Sequence, residues 1–274
     1  MPKAKGLDGT EICYDIDRQK SDCFLFFVHG AGGSLNVWKK EREYFRDKGL
    51  STLAIDLRGH GLSDRPTKAK DYTLKKFAED INTVIGIESI TEFILVGHCF
   101  GGMISVEFHK LFPNMAKSYV LVGTGSKAPQ KLRVVRTFGW PILLALNILL
   151  RLRSWLPSRG KDHRESFDKF VGTSDWNLMR IYSDISHTSF HSWLYTYENL
   201  ANFDGTNILK EITVPVLIIQ GENDQIFTLD CARRTNSLVS TSVLDVVPGG
   251  NHITVINDPI ILAEKIYTFC KKII

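Results

Sequence analysis

The sequence predicts an α/β protein built on an open, mostly parallel, doubly wound sheet. The first observation is that six short apolar runs recur along the chain, and each is continuous rather than alternating, as strands covered on both faces are. These runs are Phe24–Val28, Ser51–Ile55, Phe93–Val96, Ser118–Val122, Val214–Ile219 and Ser242–Val247. The second observation is that helical patterns separate the runs, and such an alternation is typical of a parallel sheet with helices on both faces.

Two of the intervening segments show a helix clearly. The first of these helices should end at Pro113. The apolar positions that share one of its faces are Phe100, Met103, Ile104, Phe108 and Leu111. In the last helix of the chain, Asp258 and Pro259 form an N-cap and first-turn pair. The apolar positions along that helix are Ile260, Leu262, Ile266 and Phe269.

The composition is that of a folded protein rather than a disordered chain or a nucleic-acid binder. Of 274 residues, 43% are hydrophobic and 23% are charged, and the net charge is only +4, so we expect no nucleic-acid partner. Five scattered cysteines without a Cys-x-x-Cys pair argue against disulfides and structural zinc. The N-terminus lacks the apolar run of a signal peptide, and residues 141–150 are too few for a membrane span of roughly 20 residues. We therefore expect a cytoplasmic protein.

One connection is much longer than the others. About 90 residues separate Val122 from Val214, whereas ordinary loops rarely exceed about 12–15 residues. This segment must hold structure of its own, and a helical insertion over the sheet is the simplest arrangement. We predict a core domain made of residues 1–126 and 209–274, and a helical lid made of residues 127–208.

The turn after one predicted strand has the pattern Gly-x-nucleophile-x-Gly. It reads Gly97-His98-Cys99-Phe100-Gly101, and small neighbours suit a reacting side chain on a tight strand-to-helix turn. The N-terminus of the following helix favours an anion, which acidifies a thiol and stabilises a developing oxyanion. Cys99 is therefore a candidate nucleophile, and a buried structural cysteine is the alternative.

A glycine-rich loop, residues 29–33, follows an earlier strand. Its sequence, His-Gly-Ala-Gly-Gly, allows the backbone N–H of Ala31 to bind an oxyanion, with the N–H of Phe100 as the second donor. A phosphate-binding loop is the competing interpretation, but neither Gly-x-x-x-x-Gly-Lys-[Ser/Thr] nor Gly-x-Gly-x-x-Gly occurs here. His187 and His191 lack a clear third ligand, so we expect no metal and no cofactor.

An acid and a histidine follow two later strands. Asp224 comes after the run that ends at Ile219, and His252 ends the stretch Pro248–His252. Because ligands bind at the carboxyl ends of strands in open α/β sheets, these side chains should meet near the predicted nucleophile. Glu222 is the rival acid.

The chain carries the candidate nucleophile, acid and base in this order, and it also contains the loop Asp56-Leu-Arg-Gly-His-Gly-Leu-Ser63. In both respects it resembles the α/β-hydrolase superfamily, and the resemblance covers nearly its whole length. The resemblance implies the α/β-hydrolase fold, with the lid inserted after the sixth strand of the core. It also implies that Cys99 is the nucleophile, His252 the base and Asp224 the acid that orients the base.

The cysteine at position 99 is unusual, because most members of the superfamily carry serine there. Dienelactone hydrolases and polyhydroxyalkanoate synthases are similar to this chain in carrying cysteine. The synthases are longer, however, and the dienelactone enzymes lack a long lid. Cys99 is therefore either a native nucleophile or a replacement for serine, and the sequence leaves both interpretations open.

The predicted lid indicates the kind of substrate. Residues 126–165 hold nine Lys or Arg and only two acids, and the stretch from Trp140 to Trp155 is mostly apolar. Cationic residues around an apolar helix suit contact with a lipid surface or a pocket for an acyl tail, in which Trp140, Leu143 and Leu146 would bind substrate. The alternative is a lid helix packed on the core with a solvated basic rim.

These features favour an enzyme that hydrolyses a carboxylic ester, lipid-like in character, through a covalent acyl-enzyme. Acyl transfer, C–C bond hydrolysis and lactone hydrolysis use the same motifs, and a ligand receptor on the same fold is the non-enzymatic alternative. We expect a small hydrophobic ester as substrate and peripheral membrane contact through the lid, and we make no prediction of oligomeric state.

Overall fold

The computed structural model of the chain describes residues 1–129 and 167–274, and eight strands within them form one sheet. In chain order the strands are β1 (Lys3–Lys5), β2 (Glu11–Asp17), β3 (Phe24–Val28), β4 (Ser51–Ile55), β5 (Phe93–His98), β6 (Ser118–Val122), β7 (Val216–Gly221) and β8 (Ser242–Val247). The order across the sheet is β1-β2-β4-β3-β5-β6-β7-β8.

Helices cover both faces of this sheet. They are α1 (Lys39–Asp47), α2 (Leu74–Ile87), α3 (Phe100–Leu111), α4 (Leu178–Thr188), α5 (Phe190–Asn202), α6 (Thr206–Glu211), α7 (Leu229–Leu238), α8 (Thr254–Asn257) and α9 (Pro259–Cys270). Short 3-10 helices span Leu35–Trp38, Ala69–Tyr72 and Phe167–Phe170. Two clusters of buried apolar side chains, one on each face of the sheet, form the core.

The prediction of a mostly parallel, doubly wound sheet is confirmed. The strands from β4 through β8 in the sheet order pair in parallel, whereas β1 and β2 run antiparallel at one edge. The five central strands are buried along their whole length, which explains their continuous apolar sequences. The two antiparallel strands were not predicted, because β1 is only three residues long and β2 alternates charged with apolar residues.

The expectation that every predicted strand is covered on both faces is wrong for β8. This strand is the last in the sheet, and most of its side chains are partly exposed, with Val243 at 58%. Its position at the edge also explains Asp245, whose carboxylate pairs with Lys265 of α9 at 2.6 Å. An apolar run alone does not distinguish a central strand from a strand at the edge.

Both predicted helices are present. The first, α3, ends at Leu111, two residues before Pro113, and α9 begins at Pro259. The capping prediction was only partly right, because the Asp258 side chain precedes α9 but makes no hydrogen bond to its first turn. Ile260 is 49% exposed and therefore does not belong to the buried face of α9.

The ends of the predicted lid lie side by side. Lys127 forms an isolated antiparallel bridge with Asp204, and their side chains pair at 2.8 Å. The described part of this insertion contains α4 and α5, while Trp140, Leu143 and Leu146 lie outside the described residues. The domain boundaries stay a prediction.

None of the helices in the described ranges is both long and apolar enough to span a bilayer.

A buried ion pair fixes the loop that joins β4 to α2. Arg58, which is 1% exposed, donates from Nε and Nη2 to the two carboxylate oxygens of Asp80 on α2, at 2.7 and 2.6 Å. Its Nη1 also donates to Asp8 Oδ2 at 2.9 Å and to the carbonyl of Asp71 at 2.7 Å. This loop carries His60, whose Nε2 accepts the N–H of Gly32, so the pair supports the glycine-rich loop.

Replacing Asp80 with Ala should destabilise the fold strongly. The change leaves a fully buried guanidinium without its main partner, and broken buried pairs of this kind cost about 3–5 kcal/mol. Asp230→Ala is the matched control, because that carboxylate is 88% exposed and pairs with exposed Arg233, so it should cost less than about 1 kcal/mol. Urea denaturation measures both, and equal effects of the two changes would contradict the assigned role of Asp80.

Candidate active site

Cys99 lies on a sharp turn between β5 and α3. Its backbone has φ 51° and ψ −111°, a conformation that residues with a Cβ rarely adopt. The turn depends on its glycines, since a Cβ on Gly97 would collide with the backbone of Gly101 and a Cβ on Gly101 with that of Val28. The geometry matches the sequence pattern and presents the thiol at the carboxyl end of the sheet.

The glycine-rich loop lies against this turn. A Cβ on Gly30 would stand 3.1 Å from the Cβ of Cys99 and 3.0 Å from Nδ1 of His98, so a larger residue here would push on its neighbours. The loop continues through Ala31, whose side chain is partly buried against the core. A backbone N–H that binds an oxyanion must not be donating to another group. Within the described residues, neither the N–H of Ala31 nor that of Phe100 donates to a backbone carbonyl.

His252 and Asp224 meet at the same edge of the sheet. The Nδ1 of His252 lies 2.9 Å from Oδ2 of Asp224, and the two residues are 5% and 4% exposed. The Cys99 thiol lies close enough to the same imidazole to raise the pKa of His252. The rival acid Glu222 turns away and accepts the N–H of Gly249 at 2.8 Å. The structure thus brings Cys99, His252 and Asp224 together and leaves Glu222 aside.

The charges around His252 favour its protonated form. Burial lowers the pKa of His252, but the negative charge of Asp224, the neighbouring Cys99 and the hydrogen bond to Asp224 raise it to about 10. Burial raises the pKa of Asp224, yet the charge of His252 and several hydrogen bonds hold it below its usual value. An imidazolium paired with the carboxylate of Asp224 is therefore the favoured state of His252 at neutral pH.

Three histidines of the motif loops, His29, His60 and His98, form hydrogen bonds with the backbone. His29 accepts the N–H of Leu57 at Nε2, and His60 accepts that of Gly32. Burial and the charge of His252 lower the pKa of His98 to about 3, so its ring is neutral. The Nε2–H of His98 then donates to the backbone carbonyl of His252 at 2.9 Å.

Two residues that hold the acid and the base were missed by the sequence analysis. Gln220, fully buried at the end of β7, donates from Nε2 to Oδ2 of Asp224 at 2.8 Å. Asp175, from the predicted lid segment, accepts the N–H of His252 at 2.8 Å. Gln220 was detectable as the polar residue that directly follows the apolar run ending at Ile219, but nothing in the sequence links Asp175 to His252.

A groove among the described residues lies away from these side chains. It has a volume of about 1680 Å³ and is lined by the loop around Leu62 and Arg65, by α1, and by Phe167 and Ile256. Neither Cys99 nor His252 contributes to it. We assign the site to Cys99, because the strained turn and the buried acid–base pair lie there, whereas the groove has mixed charge and no comparable arrangement.

The described residues hold no cluster of candidate metal ligands. Across residues 1–129 and 167–274 no three His, Cys, Asp or Glu side chains are grouped to hold a metal ion. His191 is partly buried, and its Nδ1 lies 3.3 Å from the hydroxyl of Ser189. The side chain of His187 lies outside the described part of the chain.

Comparison with known proteins agrees with this fold. The chain is 23% identical to Protein ABHD8 of Bos taurus over 241 residues, which cover 88% of this chain and 54% of the relative. The chain thus spans about half the length of that relative. It is also 25% identical to a protein named bifunctional esterase/perhydrolase DCH of Acinetobacter calcoaceticus, covering 89% of this chain and 90% of that protein.

Solved structures and a family model give the same result. An esterase from Exiguobacterium antarcticum superposes with a TM-score of 0.74 at 18% identity, covering 98% of both chains, so the shared fold extends over nearly the whole molecule. The family model described as "alpha/beta hydrolase fold" matches residues 24–259, which include the turn of Cys99, Asp224 and His252. The chain therefore belongs to the alpha/beta hydrolase fold family.

Proposed function

We propose that this protein hydrolyses carboxylic esters and that Cys99 is the nucleophile, forming a thioester acyl-enzyme. The observation that carries the proposal is the thiol on a strained turn, beside an imidazole that is held by a buried carboxylate. A purely structural cysteine needs neither the strain nor the acid–base pair. The esterase names of the DCH protein and the Exiguobacterium structure support the same reaction class.

In the first half-reaction, the Sγ of Cys99 attacks the ester carbonyl carbon and a tetrahedral oxyanion forms. The N–H groups of Ala31 and Phe100 donate to this oxyanion. The C–O bond then breaks, and the imidazolium of His252 gives its proton to the leaving alkoxide, so that an alcohol departs. The acyl group stays on Cys99 as a thioester, and His252 becomes neutral.

In the second half-reaction, neutral His252 accepts a proton from water, and the resulting hydroxide attacks the thioester carbonyl. Collapse of this second intermediate breaks the C–S bond, which releases a carboxylic acid and restores the thiolate beside the imidazolium. Asp224 keeps its negative charge throughout and orients the imidazole through the Nδ1 hydrogen bond. No cofactor is needed for either half-reaction.

We further propose that the substrate is hydrophobic and that the lid contacts lipid surfaces. Support comes from the apolar sequence between Trp140 and Leu150 and from the basic residues around it. Apolar side chains at the start of α4 add to this, since Leu178 and Met179 are 78% and 72% exposed. Exposed apolar groups beside cationic residues suit an interface with anionic lipid.

Cys99 should react with iodoacetamide faster than any other cysteine of the folded protein. Burial raises the pKa of Cys13 and Cys23 to about 11 and that of Cys270 to about 12, which keeps these thiols protonated. The pKa of His252 is raised to about 10, so its imidazolium is present at pH 7 and is lost as the pH rises through 10. At pH 7, peptide mass spectrometry should therefore find the iodoacetamide adduct on Cys99 before it appears on Cys13, Cys23 or Cys270.

The cation beside the thiol can be removed selectively. His252→Gln should slow alkylation of Cys99 at pH 7 by about tenfold or more, because a neutral amide does not stabilise the thiolate. His109→Gln is the matched control, since His109 is also buried but its Nδ1 contacts the hydroxyl of Tyr119. Preferential labelling of another cysteine with Cys99 intact would refute the assignment.

Turnover of p-nitrophenyl esters should increase with acyl length from C2 to medium and long chains. Each buried CH₂ contributes about 0.8 kcal/mol, so Leu143→Asp and Leu146→Asp should lower kcat/KM for long chains about tenfold and spare acetate. The same variants should sediment less with anionic vesicles at low salt. Leu7→Asp is the control for the loss of a leucine outside the predicted lid, because Leu7 is 82% exposed. Equal turnover of all chain lengths, without vesicle binding, would contradict the hydrophobic-substrate proposal.

A further inference from the structure

The backbone of His252 is held from both sides by buried side chains. Its N–H donates to Oδ1 of Asp175 at 2.8 Å, and its carbonyl accepts the Nε2–H of His98 at 2.9 Å. Asp175 is only 3% exposed and His98 6%. With its side chain bound to Asp224, His252 therefore has little freedom to move.

The carboxylate of Asp175 also reaches the loop of the acid. Its second oxygen, Oδ2, accepts the N–H of Gln225, the residue after Asp224, at 2.9 Å. One buried carboxylate thus joins the two loops that carry Asp224 and His252, which stand 28 residues apart in the chain. Each of its oxygens receives one backbone N–H, so a change of either oxygen breaks one of the two links.

Asp175 is itself fixed by α4. Arg180 donates from Nη2 to the carbonyl of Asp175 at 2.6 Å and pairs through Nη1 with Asp184 at 3.0 Å. Asp184 packs on the glycine-rich loop, since a Cβ on Gly32 would lie 2.6 Å from the Cβ of Asp184. A continuous set of contacts therefore runs from that loop, through α4, to the backbone of His252.

We propose that Asp175 is a positioning residue, through which the inserted segment sets the distance between His252 and Asp224. The proposal rests on the proposed function in one respect, namely that His252 acts in turnover. Asp175 touches no reacting atom; it acts by aligning the imidazole with Cys99 and with its carboxylate partner. Small misplacements of a catalytic group by a distant change are known to cost up to about a hundredfold in rate.

Asp175→Asn and Asp175→Ala test this role. The Asn side chain can accept one of the two backbone N–H groups, but it places an NH₂ group against the other. Asp175→Asn should therefore lower kcat on p-nitrophenyl butyrate about tenfold, and Asp175→Ala should lower it about a hundredfold. KM should change by less than about twofold. Asp204→Asn is the matched control, because Asp204 lies in the same segment but pairs with Lys127 at the surface, and it should behave like the wild type.

A second readout separates positioning from a merely structural role. When the His252–Asp224 bond is misaligned, the imidazolium loses stabilisation, so the NMR titration of the His252 ring should move to lower pH in both Asp175 variants. In the wild-type protein, the amide of Gln225 should exchange slowly with solvent, although Gln225 itself is exposed. This measurement needs no variant and holds even if Asp175→Ala fails to fold.

The outcomes are distinguishable. The proposal would be overturned if both Asp175 variants fold and show the turnover and the His252 ring titration of the wild type. It would also be overturned if the Gln225 amide exchanges at the rate of an unprotected amide. If the wild-type protein shows no ester turnover, the proposed function fails, and the titration of His252 together with amide exchange still decides whether Asp175 sets the geometry of the pair.

Discussion

The site depends on the left-handed turn at Cys99, where a residue with a side chain holds a positive φ. Such a conformation costs of order 1–3 kcal/mol and persists only where the surroundings enforce it. Here Gly97 and Gly101 let β5, α3 and the end of β3 approach closely enough to do so. The same turn directs the thiol toward His252 and leaves the amide of Phe100 at the start of α3. A larger residue at either glycine would remove all of these features together.

The second constraint is electrostatic, because the ionisable groups of the site are almost fully buried. A buried carboxylate is tolerated only when it is well hydrogen-bonded. Asp224 meets this condition through Gln220, the N–H groups of Ile226 and Phe227, and His252. The carboxylate in turn stabilises the imidazolium of His252. Glu222 is exposed and has no such set of partners, so Asp224 is the better candidate for the acid.

The sequence predicted those parts of the molecule whose physical cause is local. Continuous apolar runs indicated the central strands, and the glycines around Cys99 indicated the turn, because both reflect short-range sterics. The edge position of β8 and the β1–β2 pair were not foreseen, since exposure depends on which strand is last in the sheet. Asp175 was missed for a similar reason. Its partners, His252 and Gln225, lie 77 and 50 residues away, and only the tertiary fold brings them within hydrogen-bonding distance.

The most direct test of the account is to detect the acyl group on Cys99 during turnover. Rapid acid quenching of a reaction with p-nitrophenyl butyrate, followed by peptide mass spectrometry, should show a butyryl group on the peptide that contains Cys99. Hydroxylamine should remove it, as it removes thioesters, and Cys99→Ala should show neither the adduct nor turnover. An acyl group on another residue, or full turnover by Cys99→Ala, would contradict the central claim that this thiol is the nucleophile.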